Sequence, residues 1–305
     1  MNSGSKHNKN QLVYNSRKKH LEHTESKRNI PVQRHAKRQK TLPSIIPPDF
    51  IYMFANGDIY KGGCRNSKKH GMGTCKYSNG NVYEGEWIHD VMHGFGIKKH
   101  ANGDVYKGEW VNDKKCGYGI MTYTNGITYD GKWLDNKCHG EGILTYPNGD
   151  IYNGSWIENK RHGHGVYTFT AGHIYKGNWE NNFKHGFGIF IYRDGYTYKG
   201  QWANDYKNGY GFIYYANGDI YKGEWINNKK HGYGEYTYYV ECNIYKGEWL
   251  DNNRHGYGFF EAPYTIYEGE WADNKRHGYG ILSDHAGNVF NGSWCKDIPS
   301  IFKLF

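Results

Sequence analysis

The chain repeats itself every 23 residues, and this period constrains its fold more than any other feature. Tyr-x-Gly-x-Trp begins at Tyr83, Tyr106, Tyr129, Tyr152, Tyr175, Tyr198 and Tyr221, each 23 residues after the last. It continues at Tyr245 and Tyr267, after one step of 24 and one of 22. A degenerate first copy starts at Tyr60, with Cys64 in the Trp place, and a last copy starts at Phe290. All ten tryptophans occupy this one position. His-Gly-x-Gly follows at His70, His93, His139, His162, His185, His231, His255 and His277, with Cys116 and Asn208 replacing His in two copies. Forty of the 42 glycines belong to these two signatures or to the intervening turns, so the glycine excess is architecture rather than flexibility. Periods of roughly 20–50 residues signal solenoids or arrays.

Alternation within a copy points to strands. In Asp150–Trp156, residues Tyr152, Gly154 and Trp156 share one face, and in Gly140–Tyr146 so do Gly140, Gly142 and Tyr146. The turn sets the register. Pro147 favours the first corner of a type I turn, followed by Asn148 and a left-handed Gly149, a three-residue loop with a G1 bulge. That register pairs Tyr146 with Asp150, Gly142 with Gly154 and Gly140 with Trp156. Each Trp then has a glycine opposite, and large rings cover bare backbone. The other turn, Ile157–Arg161, reads as longer and polar. Two strands per copy advance about 10 Å, so the array reads as a ribbon on the order of 100 Å long.

Tyr83-Glu-Gly-Glu-Trp87, then His93-Gly-Phe-Gly96, then Asn102-Gly103, at 23 residues per copy, resembles the MORN (membrane occupation and recognition nexus) repeat. The resemblance runs from about Tyr60 to Trp294. It implies a single-layer curved sheet, in agreement with the strand reading. The expected fold is therefore all-β: an elongated, single-layer antiparallel meander of about ten to eleven 23-residue hairpins. The copies start at 60, 83, 106, 129, 152, 175, 198, 221, 245, 267 and 290, within an array spanning 50–295, with 296–305 as a cap or tail. Such repeats depend on their neighbours, and the end copies act as caps.

Residues 1–49 differ in kind. They hold eleven Lys/Arg against three acids, so they carry +8 of the formal +9, and the array is nearly neutral. Without enough apolar surface to bury, this basic segment is expected to be disordered. Aromatics at 17% exclude disorder for the whole, and scarce aliphatic residues argue against a Rossmann-like enzyme or a packed barrel. No run of apolar residues approaches a membrane span, and no secretory core is seen at the N-terminus. The six cysteines form no CxxC pair and read as reduced thiols.

Several chemistries can be weighed. Two zinc ligands must lie within about 4 Å of each other, whereas histidines one copy apart are about 10 Å apart, so the His column reads as structural. Gly-x-Gly here is strand sequence, with nothing of a phosphate-binding loop around it. No acid, base or nucleophile constellation stands outside the repeat, so no catalytic residue, metal or cofactor is expected. A kinase or methyltransferase domain, which some relatives carry, finds no room after Trp294.

Two candidate surfaces remain. The first is the aromatic face: Tyr83, Trp87, Tyr106, Trp110, Tyr129, Trp133, Tyr152, Trp156, Tyr175, Trp179, Tyr198, Trp202, Tyr221 and Trp225. These read as a rigid strip with one ring face packed and one exposed, suited to a partner helix lying lengthwise. The second is basic. The residue before the His position is Lys or Arg in eight copies: Lys69, Lys115, Arg161, Lys184, Lys207, Lys230, Arg254 and Arg276. With Lys18, Lys19, Lys37 and Arg38 of the tail, this row is the candidate contact for an anionic membrane. Acids in the same loops, Asp113 and Asp135 among them, favour instead a solvated turn. The break in period at Tyr239–Thr265 reads as a kink, a dimer contact, a docking point or simple drift.

The expected function is a non-enzymatic scaffold. The resemblance implies protein partners at a membrane–cytoskeleton junction or a ciliary or basal-body structure, with homodimers frequent in the family, and a cytoplasmic location. The alternatives are an anionic-phospholipid binder using the tail and loop edge, or a regulatory subunit of a lipid-kinase-type enzyme. The tail's basic clusters also resemble a bipartite nuclear signal, but the nearly neutral array does not suit nucleic acid as a partner.

Overall fold

A computed structural model describes residues 51–300. They form a single sheet of 23 strands in which each strand pairs antiparallel with the next in sequence. The expectations for residues 1–49, and part of the expected C-terminal cap, lie outside the described residues.

The copy at Tyr152 shows how the sequence builds one unit. Strand Lys137–Thr145 leads into strand Ile151–Ile157, pairing Gly142 with Gly154 and Gly140 with Trp156. The connection is the three-residue loop expected: Tyr146 N–H donates to the Asp150 carbonyl and Gly149 N–H to the Tyr146 carbonyl, both at 2.9 Å. Gly149 has φ +86°, the left-handed region that a side chain enters only at a cost.

The other turn corrects the sequence reading. Ile157 pairs with Lys160, so only Glu158 and Asn159 lie between strands. Both have positive φ, 48° and 67°, which defines a tight type I′ turn. Asn, Asp, His or Glu fill these places in most copies, and Asn and Asp tolerate the left-handed region best. The length that seemed to belong to the turn is instead a bulge. Gly154 pairs with Gly165 and Trp156 with Arg161, so Ser155 faces three residues, His162 to His164. Gly163, the first glycine of His-Gly-x-Gly, has φ +65° there. The two glycines of that signature thus do different work: one turns a bulge and the other lies flat in the strand.

The flat glycine marks the core. A Cβ on Gly165 would lie 2.4 Å from the Tyr152 hydroxyl oxygen, and one on Gly154 would lie 2.5 Å from the Cα of Gly165. The ring that covers the paired glycines is therefore Tyr, not the Trp expected from register alone. Trp stands edge-on beside it. Tyr152 meets Trp156 of its own copy at 5.2 Å and Trp179 of the next at 5.3 Å, both near-perpendicular. Such edge-to-face pairs contribute about 0.5–1.5 kcal/mol each beyond burial. The alternation carries the core across every boundary from Tyr60 to Trp294.

Buried polar tips need partners. Tyr152 Oη donates to the Ser155 carbonyl at 3.0 Å, and Trp156 Nε1 donates to the Gly142 carbonyl of the preceding copy at 3.1 Å. The ten tyrosines that open a Tyr-x-Gly, Tyr60 to Tyr267, and all ten tryptophans repeat these two bonds.

Polar clasps fasten both edges. At the type I′ edge, Cys138 N–H donates to Asn159 Oδ1 at 2.8 Å and Arg161 N–H to Asn182 Oδ1 at 2.9 Å. At the other edge, Thr170 N–H donates to Asp150 Oδ1 at 2.8 Å. Across the break in period, Tyr238 still pairs with Asn243, and Ala262 with Thr265 closes the next connection. The sheet continues through it.

Gly165→Ala should destabilise the array by about 1–3 kcal/mol, because the added methyl meets a ring and backbone that cannot retreat. Ser155→Ala, on the opposite face of the same hairpin, should shift the urea midpoint far less. Equal midpoints for the two variants would contradict the ring-on-glycine packing.

Candidate binding surfaces of the sheet

The rings expected to form an exposed strip are core. Tyr83, Tyr106, Tyr152, Tyr175, Tyr198 and Tyr221 are 0% exposed, and Tyr129 is 1%. Trp87, Trp110, Trp133, Trp156, Trp179, Trp202 and Trp225 are all buried as well. The expectation of one free ring face is therefore corrected. The tyrosine lies on glycine, the tryptophan on tyrosine, and a third side chain covers both.

That third side chain is the basic row. Lys69 lies over Trp87 at 4.2 Å, Lys115 over Trp133 at 4.5 Å, Arg161 over Trp179 at 4.4 Å and Lys184 over Trp202 at 4.9 Å. Lys207 covers Trp225 at 5.0 Å, while Lys230, Arg254 and Arg276 cover Trp249, Trp271 and Trp294, each at 4.3 Å. Each cation reaches from its own copy onto the tryptophan of the next and also touches its own copy's tyrosine, as Arg161 does Tyr152 at 5.7 Å. This is cation–π packing over an apolar floor, with the stems buried along it. The basic row is thus neither a free electrostatic edge nor a solvated turn.

Two tryptophans lack this cover from the repeat position, because Met92 and Cys138 stand where the cation belongs. Over Trp110, Lys98 approaches from the far end of its strand to 5.7 Å. Burial pushes the Cys138 thiol up to about 12, so it is inert at neutral pH.

Burial also acts on the lysines. It pushes the amines of Lys207 and Lys230 down to about 8, with neighbouring Lys184 and Arg254 respectively adding repulsion. Lys184 keeps a carboxylate near it, Asp205 at 3.8 Å, and Arg276 keeps Asp297 at 3.3 Å.

The histidines lie at the bulge. The Nδ1 atoms of His70, His93, His231 and His255 are buried without a hydrogen-bond partner. Among the described residues, no three His, Cys, Asp or Glu side chains come together as a metal site would require.

The opposite face holds what the sequence reading missed. The residue between the two glycines of His-Gly-x-Gly points away from the rings. It is aromatic in seven copies, and Phe187, Tyr210, Tyr233, Tyr257 and Tyr279 are 50–59% exposed. Its own N–H is capped from the adjoining strand: Tyr233 N–H donates to Glu224 Oε1, Tyr257 N–H to Glu248 and Tyr279 N–H to Glu270. The signal was present in the sequence, since a residue flanked by two ring-face or bulge glycines must project the other way.

The geometry defines an all-β repeat protein whose units are hairpins joined edge to edge by rings, cations and amide clasps. The MORN repeat family matches ten successive segments, residues 60–82, 83–105, 106–128, 129–151, 152–174, 175–195, 198–220, 221–240, 245–263 and 267–289, and the chain belongs to that family. No curated protein matches the chain in sequence. Among solved structures, the TCP10 domain of Danio rerio CPAP with a STIL peptide is 14% identical, with a TM-score of 0.40, over 79% of this chain and 96% of that one. The Drosophila melanogaster SAS-4 TCP domain with a proline-rich motif of Ana2 is 16% identical, with a TM-score of 0.31, over 58% and 85% of the two chains. Scores this low do not establish a shared fold.

The buried lysines give a pH signature. A lysine in the unfolded chain titrates near ~10.4. Burial places Lys207 and Lys230 about 8 in the folded state, so between these values the unfolded chain binds more protons and stability rises with pH. The Lys207→Met/Lys230→Met variant should lose part of that slope in denaturation curves taken from pH 7 to 10.5. An unchanged slope would contradict the burial of these amines.

Proposed function

We propose that the protein is a non-catalytic scaffold that holds protein partners along its sheet. The observation that carries this reading is the contrast between the two faces. On one, the polar and aromatic groups are used within the sheet: ring on glycine inside each repeat, cation on ring and amide on Asn or Asp between repeats. On the other, exposed aromatic side chains recur at one-repeat spacing and are open to partners. Exposed, periodic aromatic residues on a rigid support suit protein recognition. Family membership supports a placement at a membrane–cytoskeleton junction or a ciliary structure, in the cytoplasm.

The anionic-lipid alternative is weakened, because Lys115, Arg161, Lys184, Lys230, Arg254 and Arg276 are engaged with tryptophan rings. That alternative now rests on the tail residues Lys18, Lys19, Lys37 and Arg38.

Proximity labelling of the tagged full-length chain, beside a chain lacking residues 1–49, separates the readings. The scaffold reading expects a shared set of labelled proteins in both. Loss of every labelled protein, together with loss of membrane association, on deleting 1–49 would overturn it in favour of the lipid reading.

A further inference from the structure

The exposed row on the opposite face has a spacing, a charge and an aromatic surface that together specify a ligand. Phe187, Tyr210, Tyr233, Tyr257 and Tyr279 stand in five successive copies. Consecutive rings are two strands apart, about 10 Å. A polyproline-II segment rises about 3.1 Å per residue with three residues per turn, so every third side chain returns to one side about 9.3 Å further on. A β-extended segment alternates its side chains and cannot present every third residue to one row. An α-helix returns to one side only every seventh residue, about 10.5 Å on, so polyproline-II is the conformation that offers the rings one residue in three.

The charge selects the side chain. Glu224, Glu248, Glu268 and Glu270 are exposed on the same face beside Tyr233, Tyr257 and Tyr279. The nearby lysines neutralise them only in part: Lys222 and Lys246 both pair with Glu235, at 2.9 and 3.7 Å, which leaves the patch net negative. Among the described residues, none of the four glutamates makes an ion pair. Their carboxylates are already fixed in place, since three cap the N–H of a row tyrosine and Glu268 Oε1 accepts from Tyr257 Oη at 3.1 Å. Exposed tyrosine faces beside uncompensated carboxylates favour guanidinium or ammonium groups, through cation–π contact and charge together. The surface is also preformed, which lowers the cost of binding.

We propose that the face bearing Tyr210, Tyr233, Tyr257 and Tyr279 docks a partner's polyproline-II segment carrying a basic residue at every third position. The proposal deepens the scaffold reading and rests on it. Each tyrosine takes one Arg or Lys, and the glutamate beside it balances the charge.

The test is fluorescence polarisation of labelled (Arg-Pro-Pro)4 with the full-length chain. Saturable binding that weakens as salt is raised is expected. Tyr233→Ser/Tyr279→Ser should weaken it by about tenfold or more, whereas Tyr233→Phe/Tyr279→Phe should retain it, because the ring face is kept. Glu268→Lys should weaken it as well. These side chains lie outside the core, and unchanged tryptophan emission verifies the fold of each variant. The proposal is overturned if (Arg-Pro-Pro)4 does not bind, if the serine variant binds equally well, or if (Glu-Pro-Pro)4 or (Arg-Gly-Gly)4 binds as tightly. A partner set recovered by proximity labelling and unchanged in the serine variant would leave the scaffold reading standing while removing this one.

Discussion

A tyrosine ring lying flat on two paired glycines is the contact on which the rest of this structure depends. A single sheet has no second layer to bury its face. The chain compensates by removing side chains at Gly154 and Gly165 and laying Tyr152 into the space. This brings the ring into contact with backbone, lets its hydroxyl reach the Ser155 carbonyl, and leaves its edge free to meet two tryptophans. With the glycines replaced, the tyrosine would have to stand up, the tryptophans would lose their neighbour, and the cation above would have no floor.

From this contact follows an economy of roles. Within a repeat, the glycine pair and tyrosine make the hairpin. Between repeats, Trp Nε1, the basic side chain and the Asn or Asp clasp make the join. Nearly every conspicuous residue of the motif serves one of these purposes, so the motif describes stability rather than a binding site. On the face away from the rings the motif leaves the residue type free, and there the later copies carry tyrosine and glutamate.

Much of the fold was legible in the sequence because period and turn chemistry are local. Pro147-Asn148-Gly149 fixed a loop length, and loop length fixed the pairing of Gly142 with Gly154. The two-residue bulge at His162-Gly163 was not legible, because a glycine in a strand pattern looks the same whether its φ is positive or negative. Missing the bulge made the Glu158-Asn159 turn look longer than it is and hid the placement of Arg161. Burial of the rings was not legible either. It needs three layers of contact within one face, and the cation that completes them arrives from a neighbouring repeat. The exposed row of Tyr210, Tyr233, Tyr257 and Tyr279 was legible in principle from alternation, but the stronger Tyr-x-Gly-x-Trp pattern drew attention to the other face.

The central claim is that the ten tryptophans are structural core, and their accessibility in the native protein tests it most directly. Quenching of tryptophan emission by acrylamide and iodide in the folded full-length chain should be weak for the whole population, and urea should restore it to the level of free indole. A tryptophan fraction quenched in the native state as readily as in urea would show open ring faces, and would return the binding role to the tyrosine–tryptophan strip.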